Sequence, residues 1–141
     1  PGTVVLHDGM SERMPEIARL KLEPAAAVVA TVVSHPDEGL ATVNAGSKAL
    51  AAEVGDPCCT VLEYPQALPL RPSEEHLPIR FLNAEEPPER GTVVALVPEH
   101  VCPTVNLART VFLIDEGVTR IVNNVSGGHA PALEEVQQLN T

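Results

Sequence analysis

Apolar positions along the chain fall in short runs punctuated by turn-forming residues, the spacing of strands rather than of long helices. Residues 2–6 are apolar and β-branched and give way to a turn at His7-Asp8-Gly9. Residues 11–20 have helix-compatible composition, with Ser11 as N-cap and Met14, Ile17 and Ala18 on one face, although Pro15 interrupts the pattern. Residues 25–34 are nearly all apolar and predict a strand buried on both faces. A turn at His35-Pro36-Asp37-Glu38-Gly39 leads into a second strand over 40–43, making a hairpin. Asn44-Ala45-Gly46-Ser47 breaks the pattern, with Gly46 read as a tight-turn residue at positive φ.

Further strands are predicted over 58–62, 77–82, 92–97, 109–114 and 118–122, the last two joined through Asp115-Glu116-Gly117. Pro65, Pro69 and Pro72 predict a loop, residues 85–91 a solvated one, and residues 130–139 a turn or two of amphipathic helix. Short strands at this spacing predict a mainly β fold, an antiparallel β-barrel or sandwich with one or two short helices. A parallel α/β sheet would need crossover helices that the pattern does not offer.

Composition narrows the partners. A chain of 141 residues is the length of one domain, so residues 1–141 are expected to form a single unit. Nine Lys and Arg stand against 19 Asp and Glu, and the seven arginines are scattered, so nucleic acid is not an expected partner. The longest apolar run is far short of the roughly 20 residues that span a bilayer, and no membrane association is expected. No basic stretch followed by an apolar core opens the chain, which starts at Pro1, so no secretory signal is expected. Three cysteines are too few and too odd in number for a disulfide-stapled scaffold, and a cytoplasmic location is expected. With no Trp, one Tyr and two Phe, the core must be built from Val, Leu, Ile and Ala.

The chemistry concentrates in Val97-Pro98-Glu99-His100-Val101-Cys102-Pro103-Thr104. In an extended chain His100 and Cys102 point to one face and Val101 to the other. An imidazole nitrogen and a thiolate so placed can close on one Zn²⁺ at about 2.0–2.3 Å. Pro98 and Pro103 cannot donate to a ladder, which places the segment at a rim or sheet edge. Two ligands are too few for a closed structural site, so a metal there would keep open positions for water or substrate. Glu75 and His76 are weaker candidates, as groups orienting a ligand or as a plain surface cluster. Cys58 and Cys59 point to opposite faces if extended, so one of them is expected in the core. His7, His35 and His129 sit beside turn residues and are expected to be solvated.

The segment 97–107, V-P-E-H-V-C-P-T-V-N-L, preceded by G-T-V-V-A-L, resembles the metal-binding segment of the D-serine dehydratase and D-threonine aldolase family, pyridoxal-phosphate enzymes related to alanine racemase. Asn44-Ala45-Gly46-Ser47-Lys48-Ala49-Leu50 is similar to the family's D-A-G-S-K-A-L segment, Glu74-Glu75-His76 to its E-E-H-G, and Pro1-Gly2-Thr3-Val4-Val5 to its P-G-T-Y-V. The resemblance implies an alanine racemase C-terminal-like β-barrel that follows, in complete family members, an N-terminal α/β barrel holding the cofactor. It implies Zn or Mn held by His100 and Cys102, a D-β-hydroxy amino acid substrate and a homo-oligomer, with dimer the expected form. Elimination to a keto acid and ammonia is one outcome and retro-aldol cleavage the other. Cys102 leans towards dehydratase, since the aldolases of the family carry H-x-D.

The family's cofactor lysine lies in the barrel, and neither Lys21 nor Lys48 matches it. No catalytic residue is therefore assigned in this chain beyond the weak pair Glu75 and His76, and the chain alone is expected to be inactive. The departures are Asn44 in place of Asp, Leu77 in place of Gly, and Val125-Ser126-Gly127-Gly128-His129 in place of a segment carrying an Arg-Gly pair. A free-standing, non-catalytic β-barrel binding module is the competing expectation.

Overall fold

The computed structural model describes residues 5–82 and 86–123. The predictions for residues 1–4 and 124–141, including the helix over 130–139 and the position of His129, lie outside the described residues. Among the described residues, eight strands and three short helices lie wholly in view: α1 (Gly9–Glu12), α2 (Pro15–Ala18), β1 (Val28–Asp37), β2 (Leu40–Val43), β3 (Cys59–Val61), β4 (Leu68–Pro69), β5 (Leu77–Arg80), β6 (Val93–Pro98), α3 (Val101–Leu107), β7 (Thr110–Asp115) and β8 (Val118–Asn123). The protein is mainly β, as the pattern predicts. Among the described residues no helix is long and apolar enough to cross a membrane.

Six strands form one antiparallel sheet in the order β3-β6-β1-β2-β5-β4. The two edge strands, β3 and β4, lie against each other, so the sheet curls into a nearly closed barrel. Period-two alternation explains the interior. Ala30 and Val32 of β1, Ala41 and Val43 of β2, Leu77 and Ile79 of β5, Val94 and Leu96 of β6, and Val61 of β3 all face inward and share one core. Leu50, from the connection between β2 and β3, completes it with no exposed surface. Tyr64 and Phe81 meet edge to face at 5.3 Å.

Several expectations are corrected. The apolar run over 25–34 is not buried on both faces, because Val29 on the outer face is 70% exposed while Ala30 and Val32 are buried. An antiparallel barrel strand has one face inside and one out, and an apolar outer face cannot be told from a second buried one by composition. β1 also runs through the predicted turn to Asp37, with register irregularities beside Ser34, and the reversal occurs at Glu38-Gly39 with Gly39 at φ 66°. The helix predicted over 11–20 is two single turns, since Pro15 cannot continue α1 but is well suited to start α2. Ser11 is not the N-cap. That role falls to Asp8, whose carboxylate accepts the Ser11 backbone N–H at 2.9 Å. Val5 and Leu6, read as the end of an opening strand, are helical. The proline-rich loop contains a two-residue edge strand, β4, in which Pro69 sits where no ladder donor is needed.

The chain divides into two compact units, Pro1–Thr104 and Val105–Thr141. The first carries the barrel. In the second, β7 and β8 form a regular hairpin paired from Thr110↔Asn123 to Asp115↔Val118. Its turn residues Glu116 and Gly117 both have positive φ, 45° and 80°, which suits a two-residue loop between twisted strands.

Candidate metal centre

The site is built where β6 ends and α3 begins. Pro98 pairs with Cys59 at the end of the ladder, and the Glu99 N–H donates to the Cys58 carbonyl at 2.8 Å. The chain then leaves the sheet at His100 and enters α3 at Val101. This corrects the expectation of an extended rim segment. Pro98 and Pro103 were read as strand-edge prolines, but Pro103 falls within the first turn of α3, where a missing N–H breaks no helical bond.

What starts the helix is a carboxylate from far away in sequence. Asp8 Oδ2 accepts the Val101 N–H at 2.9 Å, while Asp8 Oδ1 takes the Ser11 N–H at 2.9 Å and the Ser11 hydroxyl at 2.7 Å. Asp8 is 1% exposed. Burial opposes its ionisation most strongly, but the hydrogen bonds from Val101 and Ser11, with His100 nearby, together outweigh it and hold the carboxyl below the usual carboxylate range. Thr104 closes the turn by donating its hydroxyl to the His100 carbonyl at 2.9 Å, and its Oγ1 accepts the Ala51 N–H at 3.2 Å.

Val101 has no exposed surface, Cys102 is exposed, and the His100 side chain is 32% exposed. The two donors thus flank a residue anchored in the interior and are each reachable from solvent; the strand alternation from which a shared face was expected does not apply here, because the segment begins a helix. His100 Nδ1 lies 2.6 Å from Glu53 Oε1. Nitrogen and sulfur donors of this kind suit zinc, and two of them leave coordination positions open. Among the described residues no group of three or more His, Cys, Asp and Glu is arranged to hold a metal ion.

Glu75 and His76 do not join this junction through any hydrogen bond or ion pair among the described residues. Both are exposed, and Glu75 Oε1 accepts from Lys48 Nζ at 2.7 Å, with Glu74 Oε2 at 3.1 Å from the same nitrogen. Hydrogen bonding to Glu75 first and Glu74 second raises the Lys48 pKa, and the same contact lowers that of Glu75.

The histidine and cysteine expectations need correction as well. His7 is buried, not solvated: the backbone at φ 50° turns its ring inward, Nε2 meets Glu12 Oε2 at 2.7 Å, and Nδ1 has no hydrogen-bond partner. His35 is exposed, with Nε2 at 2.9 Å from the Pro88 carbonyl. Cys58 and Cys59 are both fully buried, because Cys58 precedes the strand and is not bound by its alternation. The Cys58 thiol and burial together push the Cys59 thiol far up, so it stays protonated. A cleft of about 410 Å³ beside the junction is lined by His7, Asp8, Glu12, Arg13 and Glu99. Arg13 Nη1 forms an ion pair with the buried Glu99 Oε2, which has no other polar partner among the described residues.

Sequence reasoning missed Asp8, Glu53 and Glu99. Asp8 had a readable signal, an acid directly before a short helix-compatible stretch. Glu53 had none, since its partner is 47 residues away and no local pattern connects them.

Residues 25–114 match the family described as "Putative serine dehydratase domain". D-threonine aldolase of an Arthrobacter species is 32% identical over 107 residues, covering 76% of this chain and 28% of that protein. The crystal structure of D-threonine aldolase from Filomicrobium marinum superposes with a TM-score of 0.66 at 29% identity, over 74% of this chain and 29% of that one. D-threo-3-hydroxyaspartate dehydratase from a Delftia species shares the fold, with a TM-score of 0.61 at 21% identity over 74% of this chain and 33% of that one. The chain thus spans about a third or less of the length of these relatives. Because the family match covers well over half of its residues and takes in both the barrel strands and the β6–α3 junction, the chain belongs to the D-serine dehydratase and D-threonine aldolase family.

Proposed function

We propose that this chain is the metal-carrying β-domain of a pyridoxal-phosphate-dependent lyase acting on D-β-hydroxy amino acids, with His100 and Cys102 as its metal ligands. The observation that supports the reading is that one imidazole and one thiol, on either side of the fully buried Val101, are both accessible to solvent. Family membership supports the reaction class, and the nitrogen–sulfur donor pair favours zinc over manganese.

When bound, the metal supplies Lewis-acid stabilisation to an oxygen gaining negative charge, worth several kcal/mol, while pyridoxal phosphate supplies the electron sink at Cα. The chain's own contribution is to hold the two donors still. Val101 anchors the segment in the core, Asp8 fixes the first turn of α3, and Thr104 ties back to the His100 carbonyl. The cofactor lysine is to be supplied by an N-terminal α/β barrel outside this chain, in an assembly we take to be a homodimer. The three cysteines form no disulfide, which suits a reducing, cytoplasmic setting.

Dehydration of a D-serine-like substrate is the reading that Cys102 favours. The second reading, retro-aldol cleavage, is favoured by the D-threonine aldolases at 32% and 29% identity. With D-threonine and the complete enzyme, dehydration releases ammonia and a four-carbon keto acid, whereas cleavage releases glycine and acetaldehyde.

The metal assignment is tested by metal analysis of the purified chain against His100→Ala and Cys102→Ser. About one metal ion per chain is expected in the unaltered protein and a large loss in each variant. Equal content in all three overturns the site.

A further inference from the structure

We propose that Glu53 is the positioning residue of this metal site, fixing the His100 ring so that Nε2 is the ligating atom. The inference rests on the reading of His100 as a ligand and adds to it which nitrogen binds and what aims it. Glu53 lies in the long connection between β2 and β3, and its Oε1 stands 2.6 Å from His100 Nδ1. Among the described residues Glu53 makes no ion pair with Lys or Arg; its carboxylate meets the His100 imidazole.

An ionised carboxylate can only accept, so Nδ1 must carry the hydrogen of this bond. In the neutral ring that leaves the lone pair on Nε2, the form a metal needs. A carboxylate on the far nitrogen is the arrangement that orients most metal-bound imidazoles and raises their basicity.

The same connection holds the His100 backbone. Ala51 donates its N–H to Thr104 Oγ1 at 3.2 Å, and that hydroxyl donates to the His100 carbonyl at 2.9 Å. Leu50, fully buried, pins this stretch into the barrel core. Ring and backbone of His100 are thus both tied to residues 51–53, so the aim of Nε2 is set by a segment rooted in the core. Glu53 is itself about half exposed, at 47% of its side chain, so replacing it removes an orienting contact without opening a cavity.

Two measurements on the purified chain test this, one of them without metal. In nitrogen-15 spectra of the histidine rings at a pH where His100 is neutral, the unaltered chain is expected to show the Nδ1–H form. Glu53→Ala is expected to shift the ring towards Nε2–H or a mixture, and Glu53→Asp to retain part of the preference. In a titration with cobalt(II), followed by its visible spectrum, Glu53→Ala is expected to bind about 10- to 100-fold more weakly. Glu53→Asp should recover part of that loss, and His100→Ala should abolish the signal. Cobalt binding by the unaltered chain together with unchanged tautomer and unchanged affinity in Glu53→Ala overturns the role of Glu53 alone. No cobalt binding by the unaltered chain overturns the metal reading, and this inference with it.

Discussion

Gly46 and Gly55 look alike in the sequence, both in the connection between β2 and β3, yet they are glycine for opposite reasons. Gly55 has φ of 95° and nothing near the place a Cβ would occupy. Gly46 does not have left-handed backbone, contrary to its reading as a tight turn; a Cβ there would overlap the Ser73 carbonyl and the Glu74 backbone. The two segments must approach closely because Ser47 and Lys48 donate their N–H groups to the carbonyls of Ser73 and Glu74, at 2.9 and 3.1 Å. Backbone cannot rotate out of the way as a side chain can. Gly46→Ala is therefore expected to cost about 3 kcal/mol, near the upper end for overpacking. Gly55→Ala pays only for its left-handed conformation, about 1 kcal/mol. Urea midpoints of the two variants check the ordering, and a Gly46→Ala protein as stable as Gly55→Ala contradicts it.

Asp8 acts between elements, capping α1 within its own segment and starting α3 some 93 residues later. Three hydrogen bonds to a buried carboxylate predict a loss of about 2 kcal/mol for Asp8→Asn near neutral pH. The pH dependence has a definite sign. The folded-state pKa lies below that of the unfolded chain, about 3.9, so this stabilisation is complete above that value. It is lost as pH falls from there through the folded-state value. The gap in urea midpoint between the unaltered protein and Asp8→Asn should be wide at neutral pH and narrow in strong acid; a constant gap contradicts the assignment. The strands were legible because their β-branched alternation and turn residues are local, and β2 appears at its predicted bounds, Leu40–Val43. α3 was not, because a helix of about two turns begun by a distant carboxylate has no signature near Pro103. The same limit applies to the site: His100 and Cys102 stood out by type and spacing, whereas Glu53 reaches His100 only through the fold.

At the scale of the molecule, the question is whether a chain that spans 28% of its aldolase relative retains any of the chemistry proposed here. A pyridoxal-phosphate reaction needs an amine that is unprotonated and walled off from water, because the bond it makes to the cofactor is hydrolysable. Lys48 offers neither. Its ammonium is exposed and gripped by Glu75 and Glu74, which raise its pKa and so keep the nitrogen lone pair occupied by a proton. Lys21 is exposed on the segment between α2 and β1. The purified chain, incubated with pyridoxal phosphate and D-serine, is expected to develop no lasting visible absorbance of a protein-bound imine and to release no pyruvate above the rate of the free cofactor. Glu75→Gln frees one of the two contacts on Lys48 and lowers its pKa, but leaves the amine in open water, so it is expected to remain equally inactive. Turnover by the unaltered chain would mean that one of these two lysines does what the barrel lysine is proposed to do. Turnover gained by Glu75→Gln would single out Lys48.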